Sequence, residues 1–178
     1  MATRMGIYNR RIGEKMTIKF DKIIETKEEL EKIHRTNPYN VAAALIHVFT
    51  NYGKENFYEM LQYLVGEYQP LSEMMKQNIK DRMTQNNKYP YIGKSYFKGA
   101  TPQNNYTPTE PYEIEVSENA YTDENVGYKR LILKSGGADT ERPLTLRLAK
   151  DGNYYVWSDS FIGLLSDIRP QEKENPWV

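Results

Sequence analysis

A chain of 178 residues suits one domain of ordinary size and would cramp two. Lys+Arg 24 against Asp+Glu 24 leaves the charge balanced, which removes any global drive toward nucleic acid or an anionic membrane surface. The absence of cysteine excludes disulfides, thiolate nucleophiles and thiolate metal ligands together, and two histidines offer little to zinc, so neither a metal nor a cofactor is expected.

Residues 1–24 hold six basic and two acidic residues, with no apolar core of signal-peptide length, and read as a basic, partly disordered arm. Nowhere does an apolar run reach the ~18 residues of a membrane span, so the chain is expected to be soluble and cytoplasmic. Thr26 with Glu29 forms a capping box that opens a helix over residues 27–36, ended by Asn37-Pro38. Asn40 caps a second helix, along which Val41, Ala44, Leu45, Val48, Phe49 and Tyr52 keep the three-and-four spacing up to Gly53. A third spans residues 55–65, with Phe57, Tyr58, Leu61, Leu64 and Val65 on one side and Gly66 at the stop. A fourth starts near Pro70 and presents Leu71, Met74, Met75, Ile79 and Met83.

Residues 88–112 break that pattern with five tyrosines, one phenylalanine and four prolines and no apolar periodicity. Such a stretch is either a long loop packed down by its own rings or an exposed aromatic surface that meets a partner. After it the period becomes two. Tyr112, Ile114 and Val116 alternate with Glu113 and Glu115 as a strand with one wet face, and as an edge strand this segment leaves a homo-oligomer open. Residues 128–134 form a second strand, and Leu144, Leu146 and Leu148 mark a third. Asp151-Gly152 then supplies a two-residue turn into a fourth strand over residues 153–157, and Ser158 or Asp159 caps a short helix through Leu165.

The expected fold is therefore α+β: about four N-terminal helices, then an antiparallel sheet of four or more strands, the helices packed on one sheet face. The chain divides into the arm, 1–24, and one domain, 25–178, made of a helical half (25–86), a Tyr/Pro-rich connection (87–111) and a sheet half (112–178).

Several short segments carry a resemblance: Gly99-Ala100-Thr101-Pro102 with Asn104, Asn105, Tyr106 and Pro108; Gly137-Ala138-Asp139 with Arg142-Pro143; Trp157; Ile168-Arg169-Pro170; and Pro176-Trp177. Over residues 20–178 the chain resembles a family of uncharacterised bacterial proteins, mostly from Firmicutes, catalogued as a domain of unknown function. The resemblance implies no activity, site residue or cofactor. The order of helices then curved sheet is also loosely similar to cone-shaped α+β folds such as the nuclear-transport-factor-2-like group, which interleave a strand among the helices.

Two places could hold function. In the loop of residues 135–143, Gly136 and Gly137 allow successive N–H groups to turn toward an anion, with Asp139, Glu141 and Arg142 close by. A plain strand connection is the competing reading, since the spacing of a phosphate loop is missing. The tyrosine-rich connection offers Tyr91, Tyr96 and Tyr106, and the tail Trp177, as an interaction surface. Asp139 with Glu141, or Asp159 with Asp167, could be drafted for acid-base hydrolysis, but no sequence feature marks any of them as buried, so no catalytic residue is assigned. His34 and His47 fall on different helices and read as partly exposed surface residues. These observations favour a non-enzymatic cytoplasmic interaction module with a protein or peptide partner, and count against nucleic acid and membrane. The alternative is a small-ligand binder for an anion or sugar, or a hydrolase, using the 135–143 loop.

Overall fold

The computed structural model describes residues 14–177. Its α+β fold has the expected layers, a helical one against one face of an antiparallel sheet. The strands β1 (Lys15–Phe20), β2 (Tyr112–Ser117), β3 (Tyr128–Leu133), β4 (Arg142–Leu148) and β5 (Tyr154–Val156) lie side by side in that order. The α-helices are α1 (Lys27–Leu30), α2 (Pro38–Phe49), α3 (Phe57–Val65) and α4 (Glu73–Thr84).

β1 lies within residues 1–24, which the sequence reading treats as an arm. Met16, Ile18 and Phe20 are half-buried and alternate with exposed Lys15, Thr17 and Lys19, and the strand pairs with β2 along its whole length. Residues 1–13 of that arm lie outside the described residues. β2 is consequently not an edge, being flanked by β1 and β3, and β1 and β5 form the two edges. Among the described residues, the one strand outside the sheet half precedes the helices rather than interrupting them, unlike cone-shaped folds with an interleaved strand.

Local chemistry moves several helix ends. Thr26 caps α1, its Oγ1 accepting from the Glu29 N–H at 3.2 Å, but the Glu29 carboxylate turns to the Glu25 N–H (3.3 Å) and to Lys22 (3.0 Å), and α1 stops at Leu30. Asn37, not Asn40, caps α2: its side chain accepts from the Tyr39 N–H at 2.9 Å, and Pro38 takes the first helical position, where its missing N–H costs nothing. The dipeptide read as a helix end is thus a helix start. Ser72 caps α4 by accepting from the Met75 N–H at 3.1 Å, so the helix begins at Glu73 rather than near Pro70, and Met74 is left exposed while Ile79 and Met83 are buried. In the last hairpin, the Ala149 N–H donates to Asn153 O at 2.9 Å and the Gly152 N–H to Ala149 O at 3.0 Å, closing a three-residue loop with Gly152 at φ +85° instead of the expected two-residue turn.

α2 is buried on every side, with ten of its residues, Pro38 and Val41 through Phe49, inside. A helix apolar all round belongs in a core. It touches all five strands, and its Ala42-Ala43-Ala44 run is fully buried. His47 corrects the expectation of a surface histidine: it is 0% exposed, packed against Phe20 (ring centroids 4.1 Å apart) and Phe97 (4.9 Å). Its Nδ1 accepts from the Ile24 N–H at 3.0 Å, and Asn51, one turn later, donates to Ile24 O at 2.8 Å. One side chain from the last turn of α2 and one from the turn just after it therefore satisfy both backbone groups of Ile24. Burial pushes the His47 imidazole down to about 3.

The tyrosine-rich connection is packed down by its own rings. Tyr91, Tyr96, Phe97 and Tyr106 are all buried, and the Tyr91 and Tyr106 rings stack 4.8 Å apart at 7°. The Tyr106 hydroxyl donates to Arg169 O and the Tyr96 hydroxyl to Leu164 O, each at 2.5 Å. Desolvation raises all three tyrosines, Tyr91 and Tyr106 to about 12.

The connection also acts as a wedge. β2 and β3 share only the pairs Val116↔Leu133 and Ser117↔Ile132. Continued by counting, that register would set Glu113 opposite Gly136. Ser95 and Lys98 stand there instead: the Gly136 N–H donates to Ser95 O at 2.7 Å and the Lys98 N–H to Glu113 O at 2.8 Å. The inserted segment parts the β1–β2 ribbon from the β3–β5 meander and curls the sheet.

Two outcomes follow from these contacts. A Cβ at Gly136 would collide with Ala100 O and one at Gly137 with the Tyr106 hydroxyl, whereas one at Gly163 meets nothing within 4 Å. Gly136→Ala is expected to cost about 1–3 kcal/mol in urea unfolding and Gly163→Ala little; equal midpoints for the two would refute the wedge packing. For His47, the folded state stays neutral to about pH 3 while the unfolded chain takes its proton near 6.5. Stability is then complete above pH ~6.5 and falls by about 1.4 kcal/mol per unit as pH drops toward 3. Urea curves near pH 7 and 5 should differ by about 2 kcal/mol in the wild type and less in His47→Asn; a wild-type midpoint unchanged or higher at the lower pH contradicts a buried neutral imidazole.

Candidate functional site

The glycine loop does not gather into an anion site. Gly136 N–H is spent on Ser95 O, Gly137 N–H on the Ser135 Oγ (3.0 Å) and Ala138 N–H on Ser135 O (3.3 Å). Arg142, in β4, uses Nη1 to tie Gly163 O (2.9 Å) and Ser166 O (2.8 Å). Asp139 is paired outward with Arg169 at 2.7 Å, and Glu141 is exposed. Both glycines are explained by space, since the connection presses Ala100 and Tyr106 against them. Asp159 and Asp167 are exposed as well, so none of the four drafted carboxylates sits in a buried cleft.

The expected interaction surface at Tyr91, Tyr96 and Tyr106 is corrected by their burial, because the rings that tie the connection down cannot also face a partner. Trp177 stays 85% exposed at the rim of a small cleft of about 210 Å³ beside Pro102 and Arg169.

A different surface emerges on the open face of the sheet, opposite the helices. Strand alternation decides its members. Leu131, Leu133, Leu144, Leu146 and Val156 point into the core, which turns Tyr128 and Arg130 of β3, Thr145 and Arg147 of β4, and Trp157 after β5 outward, while Tyr155 on the edge strand lays its ring against Gly66 and beside Arg35. The register pairs Arg130 with Thr145, Tyr128 with Arg147 and Arg147 with Tyr155. Arg147 therefore lies between two tyrosines, its guanidinium 4.3 Å from the Trp157 ring centre and 5.2 Å from that of Tyr128. Tyr128 meets Trp157 edge to face at 5.7 Å.

Two hollows meet at Trp157. One, of about 450 Å³, runs over Tyr128, Arg130 and Thr145 and is walled by Tyr121, Glu124 and Asn125 of the β2–β3 loop. That loop is held by its own turn, with the Tyr121 N–H donating to Asn119 Oδ1 at 2.9 Å, and by the Arg130 N–H donating to Thr122 O at 2.9 Å. The other, of about 410 Å³, continues over Arg147, Leu148 and Tyr155 to Tyr68 and Gln69 beyond α3. Gln69 fixes that end by donating to Val156 O (3.0 Å) and accepting from the Ser158 N–H (2.7 Å). Tyr68, Tyr121 and Leu148, exposed by 75%, 56% and 43%, all line these hollows.

The two halves of the open face differ in charge. On β1 and β2, Lys19 pairs with Glu113 (3.4 Å) and Lys15 with Glu115 (4.0 Å), while Lys98 joins Glu113 (3.2 Å) and, by hydrogen bonding, holds its carboxyl below the usual range. On β3 and β4, neither Arg130 nor Arg147 forms an ion pair with a described residue. Sequence reading missed this site because its residues are spread over three strands. The alternation was legible, but only the register brings them onto one patch.

The family model for a domain of unknown function, DUF6935, matches residues 22–172, and the chain belongs to that family. No curated protein and no solved structure matches it. No helix among the described residues is long and apolar enough to cross a membrane.

Proposed function

We propose that this DUF6935 member is a non-enzymatic cytoplasmic binding module for a protein or peptide, and that it meets its partner through the open sheet face around Trp157. The observation that carries the reading is the asymmetry of that face: one half is neutralised by Lys–Glu pairs, while the other exposes aromatic rings and two arginines without acidic partners among the described residues. Tryptophan, tyrosine and arginine are the residues that dominate binding energy in protein interfaces. Their contacts are laid out on a rigid sheet, so little order has to be gained on binding. The alternative, a small anion in the 135–143 loop, lacks the open N–H groups it would need at Gly136, Gly137 and Ala138.

The test compares immobilised wild-type protein with Tyr128→Ala and Trp157→Ala in native lysate. Both side chains point away from the core, so the melting temperature should hold while a specific captured protein is lost. Identical captured sets for all three refute the reading. For the alternative, a thermal-shift panel of phosphates and sugars that stabilises wild type but not Arg142→Ala would favour the loop instead.

A further inference from the structure

Resting on that reading, we infer that the partner docks an extended acidic segment, with carboxylates two residues apart on Arg130 and Arg147 and an apolar side chain against Trp157. Charge complementarity selects this occupant. On the same open face the β1 and β2 lysines are matched, Lys19 by Glu113 and Lys15 by Glu115, whereas the two guanidiniums of the groove form no ion pair with a described residue. Arg147 is also held in place by Trp157 and Tyr128, so its donor fork is oriented before any ligand arrives.

Spacing selects the form of the segment. Arg130 faces Thr145 across the β3–β4 ladder, and Arg147 lies two residues further along β4. Such diagonal neighbours stand about 7–8 Å apart. Alternate side chains on one face of an extended peptide repeat at about 6.7 Å, close enough for two carboxylates to engage both arginines. Glu124, on the wall of the first hollow, repels an acidic chain and directs it toward the Arg147 side, away from the β2–β3 loop. Nucleic acid would engage a basic tract along its backbone, and here the open face offers, among the described residues, two arginines without an ion pair on a chain of zero net charge.

The experiment follows the Trp157 indole N–H by NMR, assigned with Trp157→Phe, while capped octapeptides centred on Glu-Tyr-Glu, Gln-Tyr-Gln or Lys-Tyr-Lys are titrated into the full chain, with oligouridine as a fourth probe. The Glu peptide should move the resonance and bind roughly tenfold tighter than the Gln peptide at low salt. That preference should vanish in Arg130→Gln and in Arg147→Gln, and Glu124→Gln should tighten binding by about twofold. Equal binding of all three peptides at Trp157 overturns the acidic inference and leaves the sheet-face reading standing. Oligouridine binding with an inert Glu peptide overturns it in favour of a phosphate ligand. No movement with any probe at millimolar concentration overturns both.

Discussion

The structure depends on the burial of α2. An element that touches every strand and shows no face to water must be matched by five strands at once, and its three consecutive alanines let backbones approach where larger side chains would hold them apart. The helix cannot satisfy this from its own backbone, since the flanking segment at Ile24 would be left with an unpaired N–H and C=O. His47 and Asn51 supply those bonds, which places a histidine where it must stay neutral. The residue that looks most like a functional group in the helical half is thereby a structural one.

The second constraint is the wedge. Ladder bonds between β2 and β3 run for only two register pairs before Ser95 and Lys98 take their place, and the two glycines at 136 and 137 mark where the inserted chain comes closest. Wedge and curl account together for features that look unrelated along the chain: an aromatic stretch without periodicity and a glycine loop forty residues later. The Ser95 and Ser135 hydroxyls, both buried, meet at 2.7 Å and join the two directly. Stacked Tyr91 and Tyr106 fill the space behind them.

Much of the layering was legible because periodicity reports burial directly. The three-and-four spacing of α3 and the alternation of Leu144 and Leu146 each marked a face that the structure buries, while Leu148, which continues the alternation, is left 43% exposed at the strand end. Helix ends were less legible, because Asn37-Pro38 has two competing meanings. A proline discourages helix before it and suits the first turn after it, and only the Asn37 side-chain bond decides. β1 was missed because Met16, Ile18 and Phe20 alternate over a span too short and too basic to stand out; its strand character comes from pairing with β2 rather than from its own composition. The tyrosines misled in the opposite direction. A ring with a hydroxyl serves a wet interface and a polar core equally well, and carbonyls at Leu164 and Arg169 make the core the better site for Tyr96 and Tyr106.

The open face obeys a different logic from the inner one. Inward positions are fixed by α2, and a change there propagates to every strand. Outward positions on β3, β4 and β5 are free of that demand, yet they are not filled with the alternating lysine and glutamate that cover β1 and β2. Arginine on tryptophan and tyrosine, in a hollow walled by a loop that is itself tied down, leaves apolar ring surface and charge exposed together, an arrangement that adds little to folding because a cation–π contact at an exposed site contributes only about 0.5–1 kcal/mol. With one face of the sheet committed to the helix and half of the other neutralised, the rings and arginines on β3, β4 and the end of β5 are a part of the described sheet that neither core burial nor ion pairing accounts for.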